Sequence, residues 1–179
     1  MESNLSEYFG GLSLDGLKEI PESYKSILYI GKDVIIKTGT ILCGDGFGYH
    51  FPSMIHKEHR HGVQIHNGVH IGSCCTIDRG RHRDTIIGKN TKMDNGVHIT
   101  HNVIIGENCL IGPHACILGS VEIGSNTIIW SNAVIHQGVK IGKNCIVGAN
   151  SYVRHDIPDN QVWYGSPAKY IKENHQGIM

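Results

Sequence analysis

Thirteen of the 179 side chains are imidazoles, and imidazole, with an ordinary pKa of ~6.5, can take up or release a proton near neutral pH. His50, His56, His59, His61 and His66 crowd one stretch, and the five-residue step from His61 to His66 could serve zinc hydration chemistry. That chemistry needs three converging protein ligands and one open position for water. His70, His82, His98, His114 and His175 stand apart and read as solvated or turn-capping side chains, and His136 is ambiguous. The six cysteines point elsewhere. None forms a CxxC pair and Cys74 adjoins Cys75, which is poor geometry for a disulfide or a metal. Cys75, Cys109 and Cys145 read as small core fillers.

What must position these groups is a repeat. From Ile87 an aliphatic residue or methionine returns every six residues without a slip, through Met93, Ile99, Ile105, Ile111, Ile117, Ile123, Ile129, Ile135, Ile141 and Val147 to Val153. Helical periodicity does not produce that spacing. Ile65, Ile71 and Ile77 share the period, and Ile30, Ile36 and Leu42 begin it. Four positions after each aliphatic stands a residue of modest size, such as Val69, Cys109, Ala115 or Cys145, and glycine or asparagine supplies the backbone angles of a turn. Each unit is therefore a short strand and a corner. Three units of six close a coil of 18 residues, and coils stack as parallel strands ~4.8 Å apart. The expectation is an all-β parallel β-helix in which residues 18 apart lie over one another. The repeat alone does not fix its handedness.

Two interruptions break the period. Ten residues separate Ile77 from Ile87, so Arg79 to Asp84 carries an extra loop. Between Leu42 and Ile65 runs GDGFGYHFPSMIHKEHRHGVQ, too long and polar for one coil, giving a loop over 47–62. Loops projecting from a regular scaffold tend to carry specificity. The chain then divides into an N-terminal extension (1–27), a β-helix (28–155) and a cap and tail (156–179). In that last part DIPDNQVWYGSPAKYIKEN reads as a cap followed by a short helix, protecting an open sheet edge.

Sixteen basic and sixteen acidic side chains cancel, so there is no global electrostatic footprint for nucleic acid or an anionic membrane surface. No apolar run approaches the roughly 18 residues that a membrane span needs. The start, MESNLSEYFGG, lacks the basic and apolar regions of a leader. These features suggest a cytoplasmic protein acting on a small substrate.

The strings GDGFGY (Gly44 to Tyr49), TIDRG (Thr76 to Gly80), DTIIG (Asp84 to Gly88) and KMDNGVHITHNVIIGEN (Lys92 to Asn108) occur in this order. Across roughly residues 30 to 153 they resemble the hexapeptide-repeat acyltransferases of the UDP-3-O-acylglucosamine N-acyltransferase family. The resemblance implies a left-handed β-helix and a homotrimer with active sites between subunits. It also implies acyl transfer to the amine of an amino sugar in lipopolysaccharide biosynthesis, N-acylation rather than O-acylation, with no bound cofactor. The donor would be acyl carrier protein or an acyl-CoA, because WYGSPAK (Trp163 to Lys169) is similar to the ending of acetyl-CoA-dependent sugar transferases. That family carries a nucleotide-holding domain where only about 27 residues here precede the first coil, by the repeat count.

Carried over by position, the family's catalytic base falls on His101 and its oxyanion-binding glycine on Gly119, 18 residues later. The chemical demands are general. An amine attacking a thioester must lose a proton, which imidazole accepts, and the oxyanion requires a fixed N–H that a substrate can approach closely. Gln137 and His155 extend the same column and, with Trp163 and Lys169, are the donor-binding candidates. Trp130 and Trp163 either touch the donor or seal a subunit interface. Asp94, Asn95 and Asn102 either bind the acceptor or make turns, and Phe47 and Tyr49 either shape the acceptor pocket or anchor their loop. No metal enters this scheme. Two other readings stand beside it: a zinc enzyme similar to γ-carbonic anhydrase, built on the histidine-rich stretch, and a non-catalytic β-helix scaffold.

Overall fold

The computed structural model describes residues 10–13 and 22–175. Short parallel strands stack into three faces of a prism, a left-handed parallel β-helix of about six turns. Face A contains Ile41–Gly44, Thr76–Asp78, His98–Ile99, Cys116–Ile117, Val134–Ile135 and Tyr152–Val153. Face B contains Leu28–Ile30, Val63–Ile65, Thr85–Ile87, Ile104–Ile105, Glu122–Ile123 and Lys140–Ile141. Face C contains Ile35–Ile36, His70–Ile71, Lys92–Met93, Leu110–Ile111, Ile128–Ile129 and Ile146–Val147. The chain visits B, C and A in turn. Above His98 the register is the expected one, with Ile99 paired to Ile117, Ile117 to Ile135 and Ile135 to Val153.

The repeat produces this shape because each coil buries one aliphatic per face. Ile65, Ile77, Ile99, Ile117 and Ile135 are at most 1% exposed, and the small residues Val69, Cys75, Ala115, Ala133 and Cys145 are fully buried. Each such aliphatic contributes about 1.5–3 kcal/mol on leaving water. At the corners asparagines such as Asn90, Asn108, Asn126 and Asn144 adopt left-handed backbone angles, which asparagine tolerates better than most residues. Where threonine replaces the small apolar residue, its hydroxyl is satisfied. Thr91 and Thr127 donate to the Gly106 and Gly142 carbonyls at 2.9 Å and accept the Cys109 and Cys145 N–H groups at 3.1 Å.

The C-terminal segment departs from expectation. Instead of a short helix, Gln161–Tyr164 continues face C beside Ile146–Val147, and Lys169–Glu173 folds back on it antiparallel. The last coil leaves a row of unpaired backbone groups, and satisfying them outweighs the modest helical preference of KYIKE. At the other end Gly10–Ser13 pairs antiparallel with Ile41–Gly44. No helix among the described residues is long and apolar enough to cross a membrane.

Both interruptions fall on one edge. Loop 45–62 leaves face A after Gly44, loop 79–84 leaves it after Asp78, and both rejoin face B. The edge between A and B therefore collects every irregular segment of the lower coils.

Candidate active site

Coil by coil, the A–B edge presents loop 45–62, loop 79–84, His101, Gly119, Gln137 and His155. His101 is half-buried, and its carbonyl accepts the Ser120 N–H at 3.0 Å, tying it to the coil above. A Cβ added at Gly119 would lie 2.6 Å from His101 Cε1 and 3.0 Å from Nε2. The imidazole therefore packs against bare backbone that no other residue could supply without moving the ring. The Gly119 N–H donates to no group among the described residues. Imidazole and unpartnered amide share one column.

Asn102 fixes the ring. It is 2% exposed and has a left-handed φ of 61°. Its Oδ1 accepts the Arg81 and His82 backbone N–H groups at 2.7 and 2.9 Å. That leaves Nδ2 facing His101 Nδ1 at 2.9 Å and Ser120 Oγ at 3.3 Å. Because Nδ2 can only donate, the Nδ1 lone pair is engaged, and the neutral ring carries its proton on Nε2. Asn102 thus aligns the imidazole, and its amide is not free for an acceptor.

Loop 45–62 folds back over the same ring. His59 is 3% exposed, with its ring centroid 5.2 Å from that of His101. Neither His59 nitrogen has a hydrogen-bond partner among the described residues. Burial, with the charges of His101, His56, Arg79 and Arg81, pushes the His59 pKa down to about 4, so the ring is neutral at pH 7. Gly46 passes between the two rings, and a Cβ there would come within 2.8 Å of both His101 Cδ2 and His59 Nε2. Beneath them Arg79, 7% exposed, donates to the His59 and His61 carbonyls, and its Nε lies 3.7 Å from Asp45. Burial, aided by Asp45, raises the Asp78 pKa to about 7. The His101 pKa is lowered, first by burial and then by Arg81 and His82.

The other sequence candidates are dispersed within one chain. Gln137 and His155 are exposed above Gly119 on the shared edge. Trp163 and Lys169 lie in the terminal hairpin on face C, where the Trp163 indole N–H donates to Gln161 Oε1 at 2.9 Å. Asp94 and Asn95 occupy the corner between C and A; Asp94 borders a cavity of about 440 Å³ on face C lined also by Trp130, Lys37 and Lys92. Asn95 Oδ1 accepts the Ser73 N–H at 2.8 Å, a turn role. Phe47 and Tyr49 meet edge to face at 5.3 Å on the loop, with Phe47 88% exposed.

The histidine-rich stretch does not converge. His61 Nδ1 turns to Asp84 at 3.6 Å, and His66 packs on Tyr29. His56, His59 and His101 form a row with centroid spacings of 5.5 and 5.2 Å. Among the described residues no group of three or more histidine, cysteine or acidic side chains is arranged to hold a metal ion. The place of His59 beside His101 has no signal in the sequence, where it reads only as part of a possible metal cluster, because a loop without period gives no register.

A family model described as bacterial transferase hexapeptide (six repeats) matches residues 84–119 and 120–155, and one for the hexapeptide repeat of succinyl-transferase matches 102–137. The UDP-3-O-acylglucosamine N-acyltransferase of Azorhizobium caulinodans is 49% identical over 146 residues, covering 80% of this chain and 41% of the relative. That of Methylobacterium nodulans is 38% identical over 146 residues, covering 80% and 42%. The chain thus spans less than half the length of these relatives. Among solved structures, a UDP-N-acetylglucosamine acyltransferase from Bacteroides fragilis matches with a TM-score of 0.73 at 25% identity, over 83% of this chain and 57% of that one. A variant of perosamine N-acetyltransferase from Caulobacter crescentus, in complex with CoA and GDP-perosamine, shares the fold with a TM-score of 0.57 at 24% identity, over 82% and 57%. The chain carries hexapeptide repeats of the bacterial transferase type over residues 84–155 and is similar over four-fifths of its own length to the UDP-3-O-acylglucosamine N-acyltransferases.

Proposed function

We propose that this protein transfers an acyl group from a thioester, carried on coenzyme A or acyl carrier protein, to the amine of a nucleotide-linked amino sugar in the cytoplasm. The observation that carries this reading is the His101 ring packed on Gly119 beside an amide N–H with no partner among the described residues. The amine nitrogen attacks the thioester carbonyl, and His101 accepts the proton it sheds. The Gly119 N–H holds the oxyanion, and the carbon–sulfur bond breaks to release a thiol, with the proton passing to sulfur. A positioned base is worth about 10²–10⁴ in rate.

Acceptance of the proton at Nε2 requires the resting proton on Nδ1. Nδ1 faces Asn102 Nδ2, so the base-ready Nδ1–H tautomer gives up that hydrogen bond while Asn102 Oδ1 keeps the Arg81 and His82 N–H groups. The exposed column of Gln137 and His155 suits the long donor arm. The family resemblance supports a homotrimer, and geometry adds a reason. His101 and Asp94 lie at different corners of one chain, so an acceptor that touched both would take them from different subunits.

The test is thiol release from acetyl-CoA, longer acyl-CoAs and acylated carrier protein, with a panel of UDP- and GDP-linked amino sugars. Acceptor-dependent release with at least one pair is expected. Absence of release with every pair would leave the scaffold reading in its place.

A further inference from the structure

Loop 79–84 sets a positive charge beside the proposed reacting centre and, among the described residues, gives it no partner. Arg79 is committed to the His59 and His61 carbonyls, with Asp45 nearby. Arg83 donates to the Asn102 carbonyl at 3.0 Å and to Glu122 at 2.8 Å. Between them, the Arg81 guanidinium and the His82 ring make no hydrogen bond or ion pair among the described residues. The neighbouring carboxylates are already engaged. Glu122 is shared by Arg83 and Lys140, and Asp84 accepts the Gly62 N–H at 2.8 Å and Gln64 Nε2 at 2.6 Å. The loop is also held in place, because the Arg81 and His82 backbone N–H groups converge on buried Asn102.

An uncompensated guanidinium beside a base makes that base weaker, and Arg81 depresses both His101 and His59. The arrangement becomes balanced once an anion sits on Arg81, whose planar fork of donors matches phosphate oxygens. We infer that Arg81 and His82 form a phosphate-binding site that takes up the diphosphate of the nucleotide-linked acceptor. The identity of the ligand rests on the acyl-transfer reading; the binding does not. Phosphate could also come from coenzyme A or a phosphopantetheine arm. Position separates the two sources: loop 79–84 lies one coil below His101, whereas Gly119, Gln137 and His155 rise above it. A phosphate on Arg81 is therefore on the far side of His101 from the donor column.

Calorimetric titration of the full chain with UDP, GDP, uridine and coenzyme A tests this, using wild type, Arg81→Gln and His82→Gln with melting temperatures checked. UDP or GDP should bind where uridine does not. Arg81→Gln should weaken that binding by roughly tenfold or more, the usual worth of a charged hydrogen bond, and leave coenzyme A unchanged. No binding of either nucleoside diphosphate, equal affinity in Arg81→Gln, or a loss confined to coenzyme A would each overturn the inference. If the diphosphate site behaves as expected while every acyl-transfer assay is silent, the site stands and the reaction reading falls.

Discussion

The A–B edge of this prism has two halves that share a backbone and differ in chemistry. Above His101 the coils are uniform, with Gly119, Gln137 and His155 each 18 residues apart. Below it, loop 45–62 lays His59 against the ring, loop 79–84 brings the Arg81 charge near it, and pKa values shift in both directions, as at His59 and Asp78. The difference teaches that a β-helix gains a site where its period is broken on consecutive coils at one edge. The regular half supplies rigidity and a long surface, and the interrupted half supplies enclosure and charge.

The sharpest way to break this comparison is Gly119→Ala, at the junction of the halves. A methyl 2.6 Å from His101 Cε1 must displace the ring, and misplacement of about 1 Å can cost ~10² in rate. A variant with near-native kcat would separate Gly119 from the chemistry. In the uniform part of the prism, Ile129→Ala removes a fully buried side chain from face C and should cost about 2–5 kcal/mol by denaturant unfolding. Its kcat per folded molecule should not move; a large fall in kcat would show that the regular coils do more than support.

Asn102→Gly tests the link between loop and ring. Glycine keeps the left-handed backbone found at this position but removes the contacts to loop 79–84 and His101 Nδ1. The expected fall in kcat is roughly tenfold, smaller than for displacing the ring itself. The smallest effect should be on pH. Burial and nearby positive charge lower the His101 pKa, so the neutral base persists to lower pH, and the acid limb of kcat/KM should fall below the ordinary ~6.5. Arg81→Gln removes one source of the lowering and should move that limb upward by a fraction of a unit. A downward move would contradict a positive charge at Arg81 acting on His101.

Much of this was legible in the residues. The unbroken step from Ile87 to Val153 defines three faces and places Gly119 over His101, because a six-residue period leaves no freedom in register. Leu42 and Ile77 even mark where the loops depart. What could not be read was where the loop atoms go: no period connects His59 to His101, and their contact depends on Gly46 leaving room between the rings. The role of Asn102 was hidden for a related reason, since asparagine at a corner has the same identity whether it makes a turn or orients a neighbour. The tail was misread because KYIKE has a weak local preference, and the open edge of face C decided its conformation.

His101 as the proton acceptor is the centre of the proposed reaction. The direct measurement is kcat/KM for acceptor-dependent thiol release from about pH 5 to about pH 9, in wild type and His101→Ala, with oligomeric state checked in both. The variant should be slower by about 10²–10⁴ and lose the acid limb. A variant that retains the wild-type rate, or loses rate while keeping the same limb, would contradict it.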